Sequence, residues 1–167
     1  MTESNESARG RAIFAGGCFW GVEHHFSKEP GVIRATSGYA GGHLAAPTYE
    51  QVRAGNTGHI EAVEVVFDPA VTTFEKLARL FFEIHDPTQA DGQGPDIGEQ
   101  YRSAIFALDE EQRSVALGLV RTLESRGLEV VTELREAARF WPAEDRHQRY
   151  FDRHPALAPC HVRTGRF

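Results

Sequence analysis

Cys18 and Cys160 are the side chains of this sequence best suited to covalent chemistry. Cys18 follows two glycines and begins the segment CFWGVEHHFSK, which we interpret as a helix. The unpaired N–H groups and the positive dipole at the start of a helix favour a thiolate, and a thiolate is the reactive form of cysteine. A small buried core residue is the alternative interpretation, because unpaired cysteines usually behave in that way. Position alone leaves both roles open for Cys18.

Trp20 bears on this choice because it lies beside Cys18 but off the apolar stripe of the same helix. The stripe consists of Phe19, Val22 and Phe26, which are spaced as i, i+3 and i+7. A tryptophan next to a reactive sulfur and away from the core face can form an apolar wall for a small substrate group. Packing against a neighbouring element explains Trp20 equally well at this point.

The elements that must position these residues alternate between strands and helices. Strands are predicted at 11–17, 32–42, 62–68, 101–108 and 128–134, with capping boxes at Thr48 and Thr72 and a cap at Asp109 before three of the helices. The alternation indicates an α/β chain, and we predict a two-layer α+β sandwich. We expect a ferredoxin-like core with a mixed sheet and an extended coil C-terminal tail. The long loop 86–98, rich in Gly, Pro and Asp, is expected to be functional.

Length and composition bound the possibilities further. The chain has 167 residues, 41% of them hydrophobic, with a formal net charge of −6 and no long basic block, so nucleic acid and anionic membranes are not expected partners. Residues 1–9 are expected to be a flexible tail and 10–167 a single catalytic domain, with a coil-rich tail at about 151–167. The first ten residues are too polar for a secretory signal, and no stretch approaches the ~20 apolar residues of a membrane span. A soluble, cytoplasmic protein is predicted.

Seven blocks of the sequence resemble, in order, the A-type peptide methionine sulfoxide reductases. They are GGCFWGVE (16–23), SGYAGG (37–42), PTYEQV (47–52), TGHIEAVEVVFDP (57–69), FFEIHDPT (81–88), DIGEQYRSAIF (96–106) and AEDRHQRY (143–150). The resemblance covers nearly the whole chain after residue 10. It implies a thiol-dependent reduction of methionine S-sulfoxide, free or peptide-bound, to methionine, and therefore a role in protein repair after oxidative damage.

The resemblance also assigns roles to individual residues. It implies that Cys18 attacks the sulfoxide sulfur, that Glu61 protonates the oxygen, that Tyr49, Tyr101 and Asp96 complete the oxygen site, and that Phe19 and Trp20 hold the methyl group. Without it, Glu61 would be interpreted as a solvated charge at a strand end. Phe19 belongs equally to the core stripe, so Trp20 is the stronger prediction for substrate contact.

Recycling is implied by the resemblance as well. Cys160 would condense with the sulfenic acid on Cys18, and thioredoxin or another dithiol would reduce the disulfide without a bound cofactor. The coil-like tail that carries Cys160 could swing towards Cys18, and we expect a monomer. Two departures from the family pattern stand out: Gly92 and Pro95 replace an expected arginine and asparagine, and the tail around Cys160 is poor in glycine.

Three other functions are alternatives to a reductase. Eight histidines are present, but no Cys or His cluster has the spacing of zinc ligands, so no metal site is predicted. A cysteine hydrolase would require a histidine base near Cys18, from His59 or His85, with Asp86 or Asp96 orienting it. A non-catalytic module that binds a methionine side chain in an aromatic pocket would need no reactive cysteine.

Overall fold

The computed structural model describes residues 9–159 and 161–167. The strands are β1 (Gly10–Gly16), β2 (Val32–Ala40), β3 (Ile60–Phe67), β4 (Gly92–Gln93), β5 (Asp96–Ile97), β6 (Ser103–Ala107), β7 (Glu133–Glu136) and β8 (Phe140–Pro142). The helices are α1 (Phe19–Ser27), α2 (Tyr49–Ala54), α3 (Phe74–Glu83), α4 (Glu110–Ser125) and α5 (Tyr150–Arg153). Short 3-10 turns span Glu99–Tyr101 and Asp145–His147.

Six strands form one mixed sheet in the order β7-β6-β1-β3-β2-β8. The pairs are antiparallel except for β6 and β7, which run parallel. The inner order β6-β1-β3-β2, with α1 after β1 and α3 after β3, is the arrangement of a ferredoxin-like unit. The predicted α/β class, mixed sheet and ferredoxin-like core are therefore confirmed.

The larger core lies between this sheet and helices α1, α3 and α4. Its centre is Phe14 of β1, whose ring stacks 5.0 Å from Phe26 of α1 and 5.1 Å from Phe81 of α3. Stacked aromatic pairs of this kind add to the free energy gained by burying their area. The stripe Phe19, Val22 and Phe26 is buried as predicted, so α1 is fixed to the sheet along one face and its first residue is held in place.

Helix capping agrees with the sequence at two of three starts. Thr48 accepts a hydrogen bond from Gln51 N and forms the predicted capping box, and Asp109 caps α4. The predicted cap at Thr72 is wrong: α3 begins one residue later, and Thr73 accepts from Lys76 N. Thr72 is buried instead.

Three short segments differ from the sequence prediction. The strand expected at 128–134 is limited to Glu133–Glu136, because Val131 N donates to Pro87 O at 2.7 Å and follows the loop rather than β6. Strand β8 was not predicted; it is three residues long and ends in proline. The loop 86–98 contains the small hairpin β4-β5.

Candidate active site

Cys18 lies at the turn where β1 ends and α1 begins. It is the N-cap residue of α1 and is half-buried. Gly17 before it has φ +91°, and a Cβ at that position would lie 2.7 Å from the side chain of Gln93. Only glycine fits this turn, which allows the chain to reverse directly from a central strand into a helix. The cysteine is thus held at the first turn of a helix whose N–H groups face the site.

Glu61 of β3 lies across from this turn. Its Oε1 accepts a hydrogen bond from the backbone N–H of Phe19 at 3.2 Å, and only 3% of the residue is exposed. Burial raises the pKa of Glu61 from 4.5 to about 8; the Phe19 hydrogen bond opposes this rise and the charge of Asp96 adds to it. Burial disfavours the charged form of a carboxyl, so Glu61 is largely protonated at neutral pH. A protonated carboxyl can donate a proton to a substrate oxygen.

Two half-buried tyrosines belong to the same cluster. Tyr49 is the first residue of α2, and Tyr101 ends the 3-10 turn that follows β5. Burial raises the pKa of both phenols, to about 12 for Tyr101, and the charges of Glu61 and Cys18 add to the rise in each case. Asp96 of β5 also raises the pKa of Tyr101. Both hydroxyl groups therefore stay protonated and can donate hydrogen bonds.

Gly92 explains how Asp96 reaches this cluster. It has φ +152°, and a Cβ there would lie 2.0 Å from the backbone oxygen of Asp96. Gly92 pairs with Ile97 in the β4-β5 hairpin. The departure from the family pattern at Gly92 is thus required by the hairpin, because no side chain fits at that position. The substitution at Pro95 has no structural explanation.

The rings of Phe19, Trp20, His147 and Tyr150 form an aromatic wall at the start of α1. Phe19 is 1% exposed and packs in the core, whereas Trp20 is half-buried. The Trp20 ring stacks on Tyr150 with centroids 3.7 Å apart and planes 5° apart, and Trp20 Nε1 donates to Nδ1 of His147 at 3.1 Å. Of the two side chains, Trp20 is therefore the more exposed, and its contact with a bound group stays a prediction.

The sequence reasoning missed the residues that hold this wall. His147 is buried between Trp20 and Tyr49, and the carboxylate of Glu144 accepts from Tyr39 Oη at 3.0 Å and from Tyr49 N at 3.1 Å. All three of the added residues, Glu144, His147 and Tyr150, lie in the block AEDRHQRY. The sequence carried no periodic signal for them, because Gln148 is extended and Arg149 is left-handed between the two short turns.

The two histidines considered as hydrolase bases are engaged elsewhere. His59 Nδ1 accepts from Gly42 N at 3.0 Å, and its Nε2 contacts Leu44 O at 2.6 Å. His85 contacts Phe81 O and Ser103 Oγ, and burial lowers its pKa to about 3. Both ring nitrogens of each histidine are thus occupied by structural hydrogen bonds. This arrangement does not provide the base that a cysteine hydrolase needs.

The segment after Cys160 is fixed against the site. Cys160 itself lies outside the described residues, but His161 Nε2 contacts Gly16 O at 2.7 Å and His161 O contacts His25 Nε2 at 2.8 Å. Further on, Thr164 N donates to Glu83 O at 2.7 Å. Residues 161–167 contain no helix or strand, as predicted for the tail, but they are anchored to β1, α1 and α3 rather than extended into solvent.

No group of three or more His, Cys, Asp or Glu side chains within residues 9–159 and 161–167 is arranged to hold a metal ion. In the same part of the chain, none of the helices is both long and apolar enough to cross a bilayer.

Comparison with known proteins adds family information. The family model described as "Peptide methionine sulfoxide reductase" matches residues 10–167. A protein from Acinetobacter baumannii (strain AYE), "Peptide methionine sulfoxide reductase MsrA", is 49% identical over 150 residues, which is 90% of this chain and 87% of that protein.

Solved structures resemble the whole fold. Mxr1 from Saccharomyces cerevisiae in its reduced form superposes with a TM-score of 0.87 at 32% identity, covering 95% of this chain and 94% of that one. Methionine sulfoxide reductase A of Corynebacterium diphtheriae gives a TM-score of 0.81 at 37% identity, covering 95% and 81%. Mxr1 has also been solved in complex with Trx2.

Proposed function

The chain belongs to the peptide methionine sulfoxide reductase family, whose reaction is the reduction of methionine sulfoxide, and on that premise we propose that Cys18 is its nucleophile. The enzyme is an oxidoreductase of protein repair. Its substrate in this proposal is the S epimer of methionine sulfoxide, free or within a peptide.

One observation carries the proposal: a buried carboxyl lies next to the start of the helix that Cys18 caps. Glu61 accepts from Phe19 N, the amide that directly follows Cys18, and its pKa is raised to about 8. A sulfoxide oxygen leaves only after it accepts protons, so a nucleophilic thiol needs an acid at its side. Glu61 is that acid in our proposal.

The reaction balances with groups of this chain alone. The sulfur of Cys18 forms a bond to the sulfoxide sulfur while Glu61 transfers a proton to the oxygen. The oxygen then passes to Cys18, methionine leaves with its sulfur reduced by two electrons, and Cys18 becomes a sulfenic acid. The hydroxyl groups of Tyr49 and Tyr101 donate hydrogen bonds to the oxygen without adding charge, and Asp96 supports this site.

The aromatic wall receives the methyl group of the substrate in this proposal. Trp20 is half-buried beside Cys18, and its ring is fixed by Tyr150 and His147. Phe19, which is part of the core, contributes the buried part of this apolar surface. A rigid apolar surface discriminates a methyl group by excluding water around it.

Cys160 is the proposed resolving residue. Its thiol would condense with the sulfenic acid on Cys18, release water and form a disulfide, which a thioredoxin-type dithiol then reduces by exchange. The complex of the yeast relative with Trx2 supports a partner of this kind. Both electrons come from thiols, so the reaction needs no bound cofactor. We place the enzyme in the cytoplasm, because dithiol reductants keep that compartment reducing. We also propose that it is a monomer and that residues 10–167 form one catalytic domain.

A single-turnover assay tests the assignment. Reduced protein is mixed with each epimer of methionine sulfoxide in the absence of reductant, and methionine and thiols are counted. The S epimer should yield methionine with the loss of two thiols per turnover. Cys18→Ser should yield no methionine, and Cys160→Ser should yield one equivalent but should not be recycled by thioredoxin.

The other outcomes are equally informative. Methionine formed by Cys18→Ser would remove Cys18 from the role of nucleophile. Recycling that survives in Cys160→Ser would remove Cys160 from the role of resolver. A protein that binds the sulfoxide without forming methionine or losing thiols would favour the binding-module alternative.

A further inference from the structure

A second buried carboxyl, Glu23, lies one turn along α1 from the proposed nucleophile and has no part in the reaction described above. Only 2% of the residue is exposed. Its Oε1 and Oε2 both accept the backbone N–H of Arg149, at 2.9 and 3.1 Å. Burial raises the pKa of Glu23 to about 7; the Arg149 hydrogen bond opposes the rise, Asp152 adds to it, and the charges of Arg149 and Arg153 oppose it. The fold thus buries a carboxyl although burial disfavours its charged form, and within the described residues its hydrogen bonds are made with the Arg149 N–H.

That backbone contact is made at an unusual residue. Arg149 has φ 52° and ψ 43°, the left-handed conformation that side chains other than glycine disfavour. It stands between the 3-10 turn Asp145–His147 and helix α5. The preceding residue, Gln148, is held to Ser37 by hydrogen bonds of its side-chain amide, and the acceptor on Glu23 holds the next backbone N–H, from which α5 leaves this turn.

The two sides of the turn hold the same side chain. Before Arg149, His147 Nδ1 accepts from Trp20 Nε1 at 3.1 Å. After it, Tyr150 stacks on the Trp20 ring at 3.7 Å. The conformation of one backbone residue therefore decides whether both partners can reach Trp20 together.

Two other contacts join α5 to α1, but both lie beyond Tyr150. Lys28 Nζ and Asp152 Oδ1 are 3.0 Å apart, and both side chains are exposed, so this pair adds little. The rings of His24 and Phe151 meet edge to face at 5.7 Å. Glu23 makes the buried contact that immediately precedes Tyr150.

We propose that Glu23 is a positioning residue for the sulfoxide pocket, by which we mean the proposed substrate site formed by Cys18, Glu61 and Trp20. By accepting the Arg149 N–H, Glu23 fixes the left-handed turn that lays Tyr150 on Trp20. It acts through Trp20 and does not touch the substrate. The effect on catalysis rests on the proposed function, because it requires Trp20 to bind the substrate methyl group, whereas the effect on the ring stack does not.

A matched pair of variants separates the acceptor from the bulk of the side chain. Glu23→Met keeps the length but has no oxygen, and Glu23→Gln keeps an amide oxygen that can accept from Arg149 N–H. Trp141→Phe in all proteins leaves Trp20 as the reporting tryptophan, since the chain has two. Near-ultraviolet circular dichroism and Trp20 fluorescence should lose the signature of the Tyr150 stack in Glu23→Met and retain it in Glu23→Gln.

The kinetic part measures the sulfoxide concentration at half-maximal single-turnover rate. Glu23→Met should raise it about tenfold, the value of one methyl socket in an apolar pocket, and Glu23→Gln should not. The maximal rate should stay within about twofold, because only binding is weakened. Tyr150→Leu should give the same rise, and the double variant Glu23→Met/Tyr150→Leu should be no worse than either single one.

Arg149→Gly covers the case in which Glu23→Met folds poorly. Glycine enters the left-handed conformation without the steric penalty, so Arg149→Gly in the Glu23→Met background should recover folding and part of the Trp20 signature. An intact stack in Glu23→Met, or additive effects of Glu23→Met and Tyr150→Leu, would overturn the proposal. Loss of the stack without any change in half-saturation would leave Glu23 in its positioning role towards Trp20 but refute its effect on the pocket, and with it the role of Trp20 in binding.

Discussion

The backbone N–H of Phe19 and the Oε1 atom of Glu61 are joined by a hydrogen bond of 3.2 Å. The bond links the first residue of α1 to the middle of the sheet, and it places a buried carboxyl one peptide unit from Cys18. The same atom pair satisfies one of the N–H groups that every helix leaves unpaired at its start. The acid of the proposed reaction is therefore also a cap of the helix that carries the nucleophile.

Glu61→Gln should slow methionine formation in a single turnover by roughly 10²–10⁴, because the amide cannot donate the proton that the oxygen requires. Its oxygen can still accept from Phe19 N, so the fold should be retained. Glu64→Gln is the matched control, since Glu64 lies on the same strand but pairs with Arg11 at the surface. An undiminished rate in Glu61→Gln would exclude Glu61 as the acid.

The pH dependence of the first step should report the pKa of Glu61. The active form is the protonated one, so the single-turnover rate should fall as the pH rises through about 8. Glu61→Gln should lack this falling limb. A wild-type rate that continues to rise well above this pH would argue against a protonated Glu61.

The free energy of unfolding should also depend on the protonation of Glu61, and the direction of this dependence follows from its raised pKa. The pKa in the folded state lies above the ordinary 4.5, so the folded protein binds the proton more tightly than the unfolded chain. This stabilising contribution is complete below pH 4.5 and is lost as the pH rises through about 8. Denaturant unfolding should therefore show that wild type loses stability relative to Glu61→Gln across this window, and parallel curves would contradict it.

Tyr49→Phe and Tyr101→Phe should each lower the single-turnover rate by about 10², the usual effect of removing one donor from a developing negative oxygen. Tyr39→Phe provides the comparison, because the Tyr39 hydroxyl is committed to Glu144. Tyr39→Phe should lower the melting temperature but leave the single-turnover rate nearly unchanged. If all three variants react alike, the two site hydroxyls do not act on the oxygen.

Gly92→Ala should destabilise the protein by about 1–3 kcal/mol and slow the first step, because the added Cβ would collide with the backbone oxygen of Asp96. Gly94→Ala is the control in the same loop: Gly94 also has a positive φ, of +54°, but nothing lies within 4 Å of its Cβ position. It should cost stability without affecting the rate. Equal rates for the two variants would separate Asp96 from the reaction.

The sequence predicted those parts of the fold in which local pattern and burial agree. Helix α1, with its stripe of Phe19, Val22 and Phe26, and the apolar strand β3 are found where their periodicity indicates. Strand β8 was missed because three residues ending in Pro142 carry no alternation; only pairing with β2 makes them a strand. The predicted strand before Glu133 was wrong because Val131 is paired with a loop carbonyl, a tertiary contact that propensity does not contain.

The candidate site was predictable only as a set of separate residues. The sequence named Cys18, Glu61 and Tyr49, but it did not indicate that Glu61 would bond to the amide of Phe19. It also omitted His147, which lies 127 positions from Trp20 in sequence, and Tyr150, which stacks on Trp20 directly after the left-handed turn at Arg149. Positions of this kind depend on one backbone dihedral, which no residue pattern specifies for arginine.

The edges of the six-stranded sheet are short. Strand β8 has three residues and ends in Pro142, which has no N–H to donate, and β7 has four residues of sequence ELRE. Brief, charged or proline-containing edges offer little template for pairing with a foreign strand. Both edges of the sheet in this repair enzyme therefore resist strand addition from another protein chain.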